Sequence, residues 1–173
     1  MSSTEHLAYI VESADEATTA RTAQRLAQCA GLQHASITLH GDLGAGKTTW
    51  VRHLLRALGV GGRIKSPTYA VLESYEAPAA PHWPQGLAVS HFDFYRFTDP
   101  REWIDAGFRE LFAAPGLKLV EWPEKAQGTL PTPDLSLHLQ ALPDDHRRMT
   151  FQSHTKAGAA LLQRLKEAPL AAP

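Results

Sequence analysis

Residues 41–48 read Gly-Asp-Leu-Gly-Ala-Gly-Lys-Thr and match the pattern GxxxxGK[ST] at every specified position. Glycines at these places let the backbone curl so that successive N–H groups face one anion, and a helix that begins there adds its partial positive charge. Lys47 is expected to reach the β- and γ-phosphates of a nucleotide, and the Thr48 hydroxyl to ligate Mg²⁺. The segment predicts a nucleotide-binding P-loop with these contacting residues: Asp42, Leu43, Gly44, Ala45, Gly46, Lys47, Thr48 and Thr49.

Two acidic residues at the ends of apolar runs are candidates for the metal. A P-loop needs a carboxylate that holds or orients Mg²⁺, usually at the end of an apolar strand. Asp93 follows Leu-Ala-Val-Ser-His-Phe, and Glu121 follows Leu-Lys-Leu-Val. Either acid taken alone could be a strand-end carboxylate facing water. Their joint presence in a P-loop protein favours a metal role for at least one, and the residues alone leave open which one.

Thr68 lies beyond the P-loop, in the segment Ser-Pro-Thr-Tyr at residues 66–69. Its hydroxyl could sense a γ-phosphate through Mg²⁺, as the switch loops of GTPases do. The alternative is an ordinary strand entry in which Pro67 fixes φ. Thr68 is kept with Lys47 and Asp93 as a candidate catalytic residue.

The absence of a guanine-recognition motif indicates which base the nucleotide carries. No segment reads as the Asn-Lys-x-Asp motif that recognises guanine, and residues 155–158 (Thr-Lys-Ala-Gly) fail at both ends of that pattern. ATP is therefore favoured over GTP as the cofactor.

The elements that must position these residues alternate between strands and helices. Residues 36–40 are β-prone and lead into the P-loop, and apolar residues at helical spacing follow it until Gly59. Residues 13–16 (Ser-Ala-Asp-Glu) predict a capping box that starts an earlier helix. Extended segments are expected over residues 7–11, 64–76, 87–97, 117–122, 135–142 and 148–153, and a helix over residues 100–112. This interleaving predicts an α/β fold.

Length and composition indicate one globular domain. The chain has 173 residues, of which 43% are hydrophobic and 20% charged, which is ordinary for a protein with a core. We place the P-loop ATPase domain at residues 1–155 and a C-terminal tail, with a short helix, at residues 156–173. Lys and Arg total 17 against 18 for Asp and Glu, so no basic surplus favours direct binding to nucleic acid.

The sequence shows no sign of a membrane segment or of a metal site built on cysteine or histidine. No apolar run approaches the roughly 20 residues that a membrane span needs, and residues 1–6 are polar, without an apolar signal core. Cys29 is the single cysteine, and the nine histidines show no HExxH or comparable spacing. We expect a cytoplasmic protein without a membrane partner.

Four segments occur in this order: residues 41–49 (Gly-Asp-Leu-Gly-Ala-Gly-Lys-Thr-Thr), 66–69 (Ser-Pro-Thr-Tyr), 91–96 (His-Phe-Asp-Phe-Tyr-Arg) and 121–125 (Glu-Trp-Pro-Glu-Lys). Together they resemble the TsaE (YjeE) family, bacterial ATPases of tRNA threonylcarbamoyladenosine synthesis. The resemblance implies a single three-layer P-loop NTPase domain with a mixed, largely parallel sheet. It also implies an Mg²⁺-dependent ATPase that works with the partners TsaD and TsaB. TsaD and TsaB place a threonylcarbamoyl group on the adenosine beside the anticodon. The ATPase would contact tRNA only indirectly, through the complex with these partners.

The resemblance also implies roles for individual residues. Glu121 inherits the role of an Mg²⁺ ligand beside Thr48, and Asp93 that of the catalytic or water-positioning acid. A threonine on the first helix lies near the nucleotide base in that family, and Thr19 matches it better than Thr18.

Two other functions remain as alternatives. One is a P-loop kinase that acts on a nucleoside or other small molecule, with Asp93 and Arg96 on the substrate side. Kinases usually need an arginine-bearing lid, and Arg147-Arg148 is the only basic pair near the C-terminus. The other alternative is a nucleotide-dependent scaffold without significant turnover.

Overall fold

Seven strands form one sheet in the computed structural model, which describes residues 6–167. In chain order the strands are β1 (Ala8–Ser13), β2 (Ser36–His40), β3 (Leu72–Ala77), β4 (Leu87–Asp93), β5 (Leu117–Glu121), β6 (Leu135–Ala141) and β7 (Arg147–Ser153). Their order across the sheet is β1-β7-β6-β2-β5-β4-β3. The centre is parallel, because β2 runs parallel to both β5 and β6, and β4 parallel to β5. The outer pairs β1–β7, β6–β7 and β3–β4 are antiparallel, so the predicted mixed, largely parallel sheet is confirmed.

Helices cover both faces of this sheet. The longer ones are α1 (Glu16–Leu26), α2 (Lys47–Ala57) and α5 (Lys156–Glu167), and the shorter ones are α3 (Glu102–Asp105) and α4 (Phe108–Ala113). The longer helices share a core with strand residues such as Leu39 and Leu119. On the opposite face, Trp103 of α3 packs in a second core with Phe92 and Val120. Neighbouring residues of a strand point to opposite faces, which is why Leu119 and Val120 belong to different cores and the domain has three layers.

The strands that hold the predicted site are buried in the middle of the sheet. All five residues of β5 are buried, as is typical of a parallel strand covered on both faces. The register of β4 and β5 places Asp93 opposite Glu121, and that of β2 and β5 places Leu39 beside the same glutamate. The P-loop leaves β2 at this same edge, so the glycine-rich segment and both acids meet where the parallel strands end.

The segment after β7 contributes to the main core. Thr155 accepts from the Gly158 N–H at 2.9 Å and donates to Asp134 Oδ1 at 2.7 Å, which caps the start of α5. Leu162 and Leu165 of this helix are fully buried. The domain boundary at residue 155 stays a prediction, and residues 168–173 of the predicted tail lie outside the described residues.

The start of α1 differs from the predicted capping box. Asp15 is the N-cap, since its Oδ1 accepts from the Thr18 N–H at 2.7 Å. Ser13 instead ends β1, where it is paired with Arg147, and its hydroxyl donates to the Asp15 carbonyl at 2.5 Å. The prediction that Ser13 caps the helix was therefore wrong, because strand pairing holds Ser13 before the helix begins.

Three predicted elements are shorter or broken. The strand expected over residues 64–76 begins only at Leu72, because Val71 has a φ of +68° and its N–H closes a turn onto the Pro67 carbonyl at 2.6 Å. The extended segment expected over residues 87–97 ends as a strand at Asp93. The helix expected over residues 100–112 is split into α3 and α4 at Gly107, whose φ is +79°. Positive φ fits neither a strand nor a right-handed helix, which explains the first and third differences.

Candidate functional site

The P-loop between β2 and α2 forms one wall of a cavity of about 260 Å³. Gly44 and Gly46 have φ values of +82° and +107°, which glycine adopts without a steric penalty. Residues from distant parts of the chain line this phosphate cavity: Leu43, Gly44, Gly46, Lys47, Thr48, Thr49, Thr68, Asp93, Tyr95, Glu121, Trp122 and Arg147. The fold thus brings all the predicted catalytic and metal-ligating side chains to one place.

Two residues of the predicted P-loop set do not line this cavity. Asp42 and Ala45 line a neighbouring groove, which shares Leu43 and Gly44 with the phosphate cavity. The Ala45 N–H donates to the Asp42 carbonyl at 3.0 Å, which closes the turn. A contact of either residue with a nucleotide stays a prediction.

Lys47 begins α2 and is buried against the P-loop. Its ammonium contacts the Gly41 carbonyl, lies 3.4 Å from the Asp42 carbonyl, and stands 3.8 Å from the centre of the Trp122 ring. Burial lowers the pKa of Lys47, while nearby carboxylates, Glu121 first among them, act in the opposite direction. The lysine is therefore held at the wall of the phosphate cavity by two carbonyls and one aromatic face.

Thr48 and Glu121 meet directly although they lie on different elements. The Thr48 hydroxyl lies 2.8 Å from Glu121 Oε1 and 3.1 Å from Oε2. Carboxylate and hydroxyl oxygens are ligands that Mg²⁺ accepts, and phosphate oxygens and water usually complete its shell. The pair therefore fits one side of an Mg²⁺ site at the end of β5.

His91 holds the other side of the Glu121 carboxylate. Its ring is fully buried, and Nε2 lies 2.6 Å from Glu121 Oε2. The carboxylate accepts, so Nε2 donates, which fixes the direction of the glutamate. Nδ1 has no hydrogen-bond partner among residues 6–167. Sequence reasoning placed His91 in a motif and gave it no contact of its own.

Asp93 and Thr68 form a second polar pair at the cavity. The Thr68 hydroxyl donates to Asp93 Oδ2 at 3.1 Å, and the Tyr95 N–H donates to Oδ1 at 2.9 Å. Burial raises the pKa of Asp93 and the nearby Glu121 raises it further, against the two hydrogen bonds, which lower it. A carboxylate with a raised pKa is a better proton acceptor near neutral pH, so this pair is suited to orienting a water molecule.

Thr19 lies in a separate cavity of about 330 Å³ beside the phosphate cavity. Its hydroxyl is 3.0 Å from that of Ser13, and the residue is 4% exposed. This side cavity shares Thr49 and Arg147 with the phosphate cavity. Thr19 is therefore next to the phosphate cavity and outside it, and its contact with a nucleotide base stays a prediction.

Three residues of the phosphate cavity were not predicted as site residues: Tyr95, Trp122 and Arg147. Trp122 has a φ of +56°, a left-handed conformation that is rare outside glycine, and its ring lies against Lys47 and Tyr95. Arg147 donates from Nη1 to the Ala45 carbonyl at 3.1 Å. The basic pair was visible in the sequence, but it was weighed only as a kinase lid.

In residues 6–167, no three histidine, cysteine, aspartate or glutamate side chains converge on a point where they could hold a metal. None of the helices described there has the length and apolar character needed to cross a membrane.

Comparisons with known proteins find relatives that match most of this chain. The family model for threonylcarbamoyl adenosine biosynthesis protein TsaE matches residues 13–149. The chain is 38% identical over 126 residues to the tRNA threonylcarbamoyladenosine biosynthesis protein TsaE of Haemophilus influenzae, covering 73% of this chain and 75% of that protein. It is 36% identical over 115 residues to the protein of the same name from Bacillus subtilis, covering 66% and 67%.

A solved structure is also similar to this chain over nearly its whole length. The crystal structure of Bacillus subtilis YdiB superposes with a TM-score of 0.71 at 26% identity, covering 94% of this chain and 95% of that one. Sequence and fold therefore agree over nearly all of the domain, and the predicted resemblance is confirmed: the chain belongs to the TsaE family.

Proposed function

We propose that this protein is an Mg²⁺-dependent ATPase that acts, with TsaD and TsaB, in threonylcarbamoylation of the adenosine beside the anticodon of tRNA. Membership of the TsaE family supports the place in tRNA threonylcarbamoyladenosine biosynthesis. The observation that carries the ATPase is the contact between the Thr48 hydroxyl and the Glu121 carboxylate inside the phosphate cavity. It joins the P-loop to an acid at the end of a buried strand, which is the arrangement that metal-dependent nucleotide hydrolysis needs.

Five side chains at the cavity have a part in this proposal. The N–H groups at the start of α2 and the Lys47 ammonium bind the β- and γ-phosphates. Thr48 and Glu121 hold Mg²⁺, which when bound neutralises charge on the phosphate oxygens. Asp93 accepts a hydrogen bond from the attacking water, and Thr68 keeps its carboxylate turned toward the cavity.

The charge of the molecule supports an indirect route to tRNA. Its formal net charge is −1, so it carries no excess of cations for a polyanion. Binding of tRNA is therefore assigned to the TsaD–TsaB complex. A P-loop site can bind ATP well and still hydrolyse it slowly until another surface orders the switch segment or positions water. We expect the isolated protein to be a weak ATPase that these partners stimulate.

The kinase alternative is weakened by the placement of the two arginines that could have formed a lid. Arg148 is ion-paired with Glu12 of β1 at 2.8 Å, and Arg147 lies on the P-loop. Both are anchored by strand β7, which has a partner strand on each side. Neither arginine is on a segment that could close over a second substrate.

Phosphate release tests this proposal. It should be low for the protein alone, stay low with tRNA alone, and rise clearly when TsaB and TsaD are added together. Reconstituted tRNA threonylcarbamoylation should require the protein, and Lys47→Ala should fail to replace it. Fast turnover by the lone protein that the TsaB–TsaD pair leaves unchanged would exclude the partner-stimulated ATPase, and phosphoryl transfer from ATP to a small acceptor would favour the kinase.

A further inference from the structure

His91 of β4 reaches Glu121 of β5 diagonally across the sheet. The register pairs His91 with Leu119, two residues before the glutamate on the same face of β5. The strand β4 lies between β3 and β5, so the backbone that carries the histidine is fixed on both sides. The ring is fully buried and is not part of the lining of the phosphate cavity. The histidine therefore acts on that cavity only through the glutamate.

The ring of His91 has one hydrogen-bond partner in the part of the chain that the structure describes. Its Nε2 donates to Glu121 Oε2 at 2.6 Å, and its buried Nδ1 has no partner among residues 6–167. Burial of a polar ring is unfavourable where its hydrogen-bonding groups are left unpaired. An apolar side chain would fit the core beside Val89 and Leu119 better. The contact with Glu121 is therefore what a polar residue contributes at this position.

The two oxygens of the Glu121 carboxylate have different surroundings. Oε2 accepts from His91 and lies 3.1 Å from the Thr48 hydroxyl, so donors face both of its lone pairs. Oε1 lies 2.8 Å from the same hydroxyl and has no other hydrogen-bond partner among residues 6–167. The carboxylate can therefore offer a metal one oxygen, Oε1, while the histidine holds the other.

A carboxylate with one available oxygen suits Mg²⁺ better than Ca²⁺. Mg²⁺ is small, requires a nearly octahedral shell, and usually binds through one or two carboxylates with phosphates and water. Ca²⁺ is larger, takes about six to eight oxygen ligands, and often uses both oxygens of one carboxylate. A second oxygen that is already held by a histidine is therefore a loss for Ca²⁺ and not for Mg²⁺.

We propose that His91 is a specificity-determining residue for the metal. By holding Oε2, it restricts Glu121 to coordination through Oε1 and so favours Mg²⁺ over Ca²⁺. His91 is a positioning residue, because it touches the ligand and not the metal or the nucleotide. This inference rests on the proposed function, since it requires a metal at Glu121.

Metal titrations of nucleotide binding test the inference without using hydrolysis. Calorimetry with a non-hydrolysable ATP analogue gives the half-saturating concentrations of Mg²⁺ and of Ca²⁺. In His91→Leu, which removes the donor, the value for Mg²⁺ should rise about tenfold or more, and that for Ca²⁺ should stay level or fall. His91→Gln, whose amide can still donate to Oε2, should keep the preference of the wild type. Ser90→Ala, on the opposite face of β4, is the matched control and should also keep it.

Three results of these titrations would count against the proposals. Equal losses for both metals in His91→Leu would mean that the histidine only supports the glutamate, and would overturn the inference. A metal effect that Glu121→Gln abolishes and His91→Leu leaves unchanged would also overturn the inference alone. A wild-type affinity that no metal changes would contradict the proposed function itself.

Nuclear magnetic resonance of the wild-type protein gives a test that does not depend on how well a variant folds. With isotope-labelled histidine, the buried Nε2–H group of His91 should give a slowly exchanging downfield proton signal, because it donates to a carboxylate at 2.6 Å. The signal should persist when Mg²⁺ and the ATP analogue bind, since Oε2 stays with the histidine. Loss of the signal on Mg²⁺ binding would mean that the metal takes Oε2, and the inference would fail.

Discussion

At the residue scale, the Lys47 ammonium is a buried positive charge at the phosphate cavity. Replacing it with alanine removes a charge-assisted contact to phosphate, which is worth about 1.5–3 kcal/mol. We therefore expect Lys47→Ala to weaken ATP binding by at least tenfold, measured by calorimetry. Lys156→Ala, at the exposed start of α5, is the control and should bind like the wild type. Unchanged affinity in Lys47→Ala would exclude the P-loop as the nucleotide site.

Substitution of the two acids at this site should impair different steps, nucleotide binding in one case and hydrolysis in the other. Glu121 contacts Thr48, so Glu121→Gln should lower affinity for ATP in the presence of Mg²⁺ and leave metal-free binding less changed. Asp93 contacts Thr68 and not Thr48, so Asp93→Asn should bind ATP and lose hydrolysis. Titrating ATP at several Mg²⁺ concentrations, together with phosphate release, separates these effects. Full turnover in both variants would mean that neither acid belongs to the site.

At the scale of elements, the segment before β3 is the part of the site suited to respond to the nucleotide. Residues 61–71 contain no helix or strand. Two hydrogen bonds join this segment to Asp93, one from the Thr68 hydroxyl to its carboxylate and one from the Asp93 N–H to the Val71 carbonyl. We expect amide exchange over residues 61–72 to be slower with a non-hydrolysable ATP analogue than with ADP, because only the former presents a γ-phosphate. Equal protection in both states would indicate a static strand entry.

The elements that carry the motifs could be predicted from sequence because their signals are local. Strand β2, the glycines after it and the amphipathic helix α2 follow one another directly, so composition and spacing suffice. The acids Asp93 and Glu121 were found because each ends an apolar strand. Their mutual distance was not predictable, since it depends on the register of β4 against β5.

Contacts between distant segments account for what sequence reasoning missed. Arg147 reaches the P-loop only because β7 pairs with both β1 and β6, and a one-residue change of register would turn Arg148 inward instead. The pairing of β1 with β7 also explains why Ser13 does not cap α1, since it holds Ser13 in the strand. The turn at Val71 depends on tertiary packing that no local pattern reports.

At the scale of the whole molecule, a cluster of histidines links folding stability to pH. His40 and His138 stack on neighbouring strands with ring centres 4.3 Å apart, and His154 lies in the same groove. Burial lowers the pKa of His40 to about 4, and also lowers those of His138 and His154. At pH values above about 6.5 these rings are neutral in both folded and unfolded chains. As the pH falls toward 4, these histidines bind protons in the unfolded chain before they do so in the folded chain. The free energy of unfolding should therefore fall.

Urea unfolding followed by tryptophan fluorescence at pH 7.5, 6.0 and 5.0 measures this dependence. His40→Gln removes the histidine whose pKa burial lowers to about 4, so the stability of this variant should depend less on pH over this range. His34→Gln, at an exposed position, is the control and should keep the slope of the wild type. A wild-type stability that is constant from pH 7.5 to 5.0 would contradict the linkage.

The order of the strands also determines when the site can form during synthesis. Strand β2 carries the P-loop, yet both of its neighbours, β5 and β6, come from the second half of the chain. A ribosome adds roughly 5–20 residues per second, so the roughly 100 residues between the ends of β2 and β6 take on the order of 5–20 seconds to make. Throughout that time β2 lacks its full set of partners. A nascent chain stalled before Leu135 should therefore bind no nucleotide, although its P-loop is already complete.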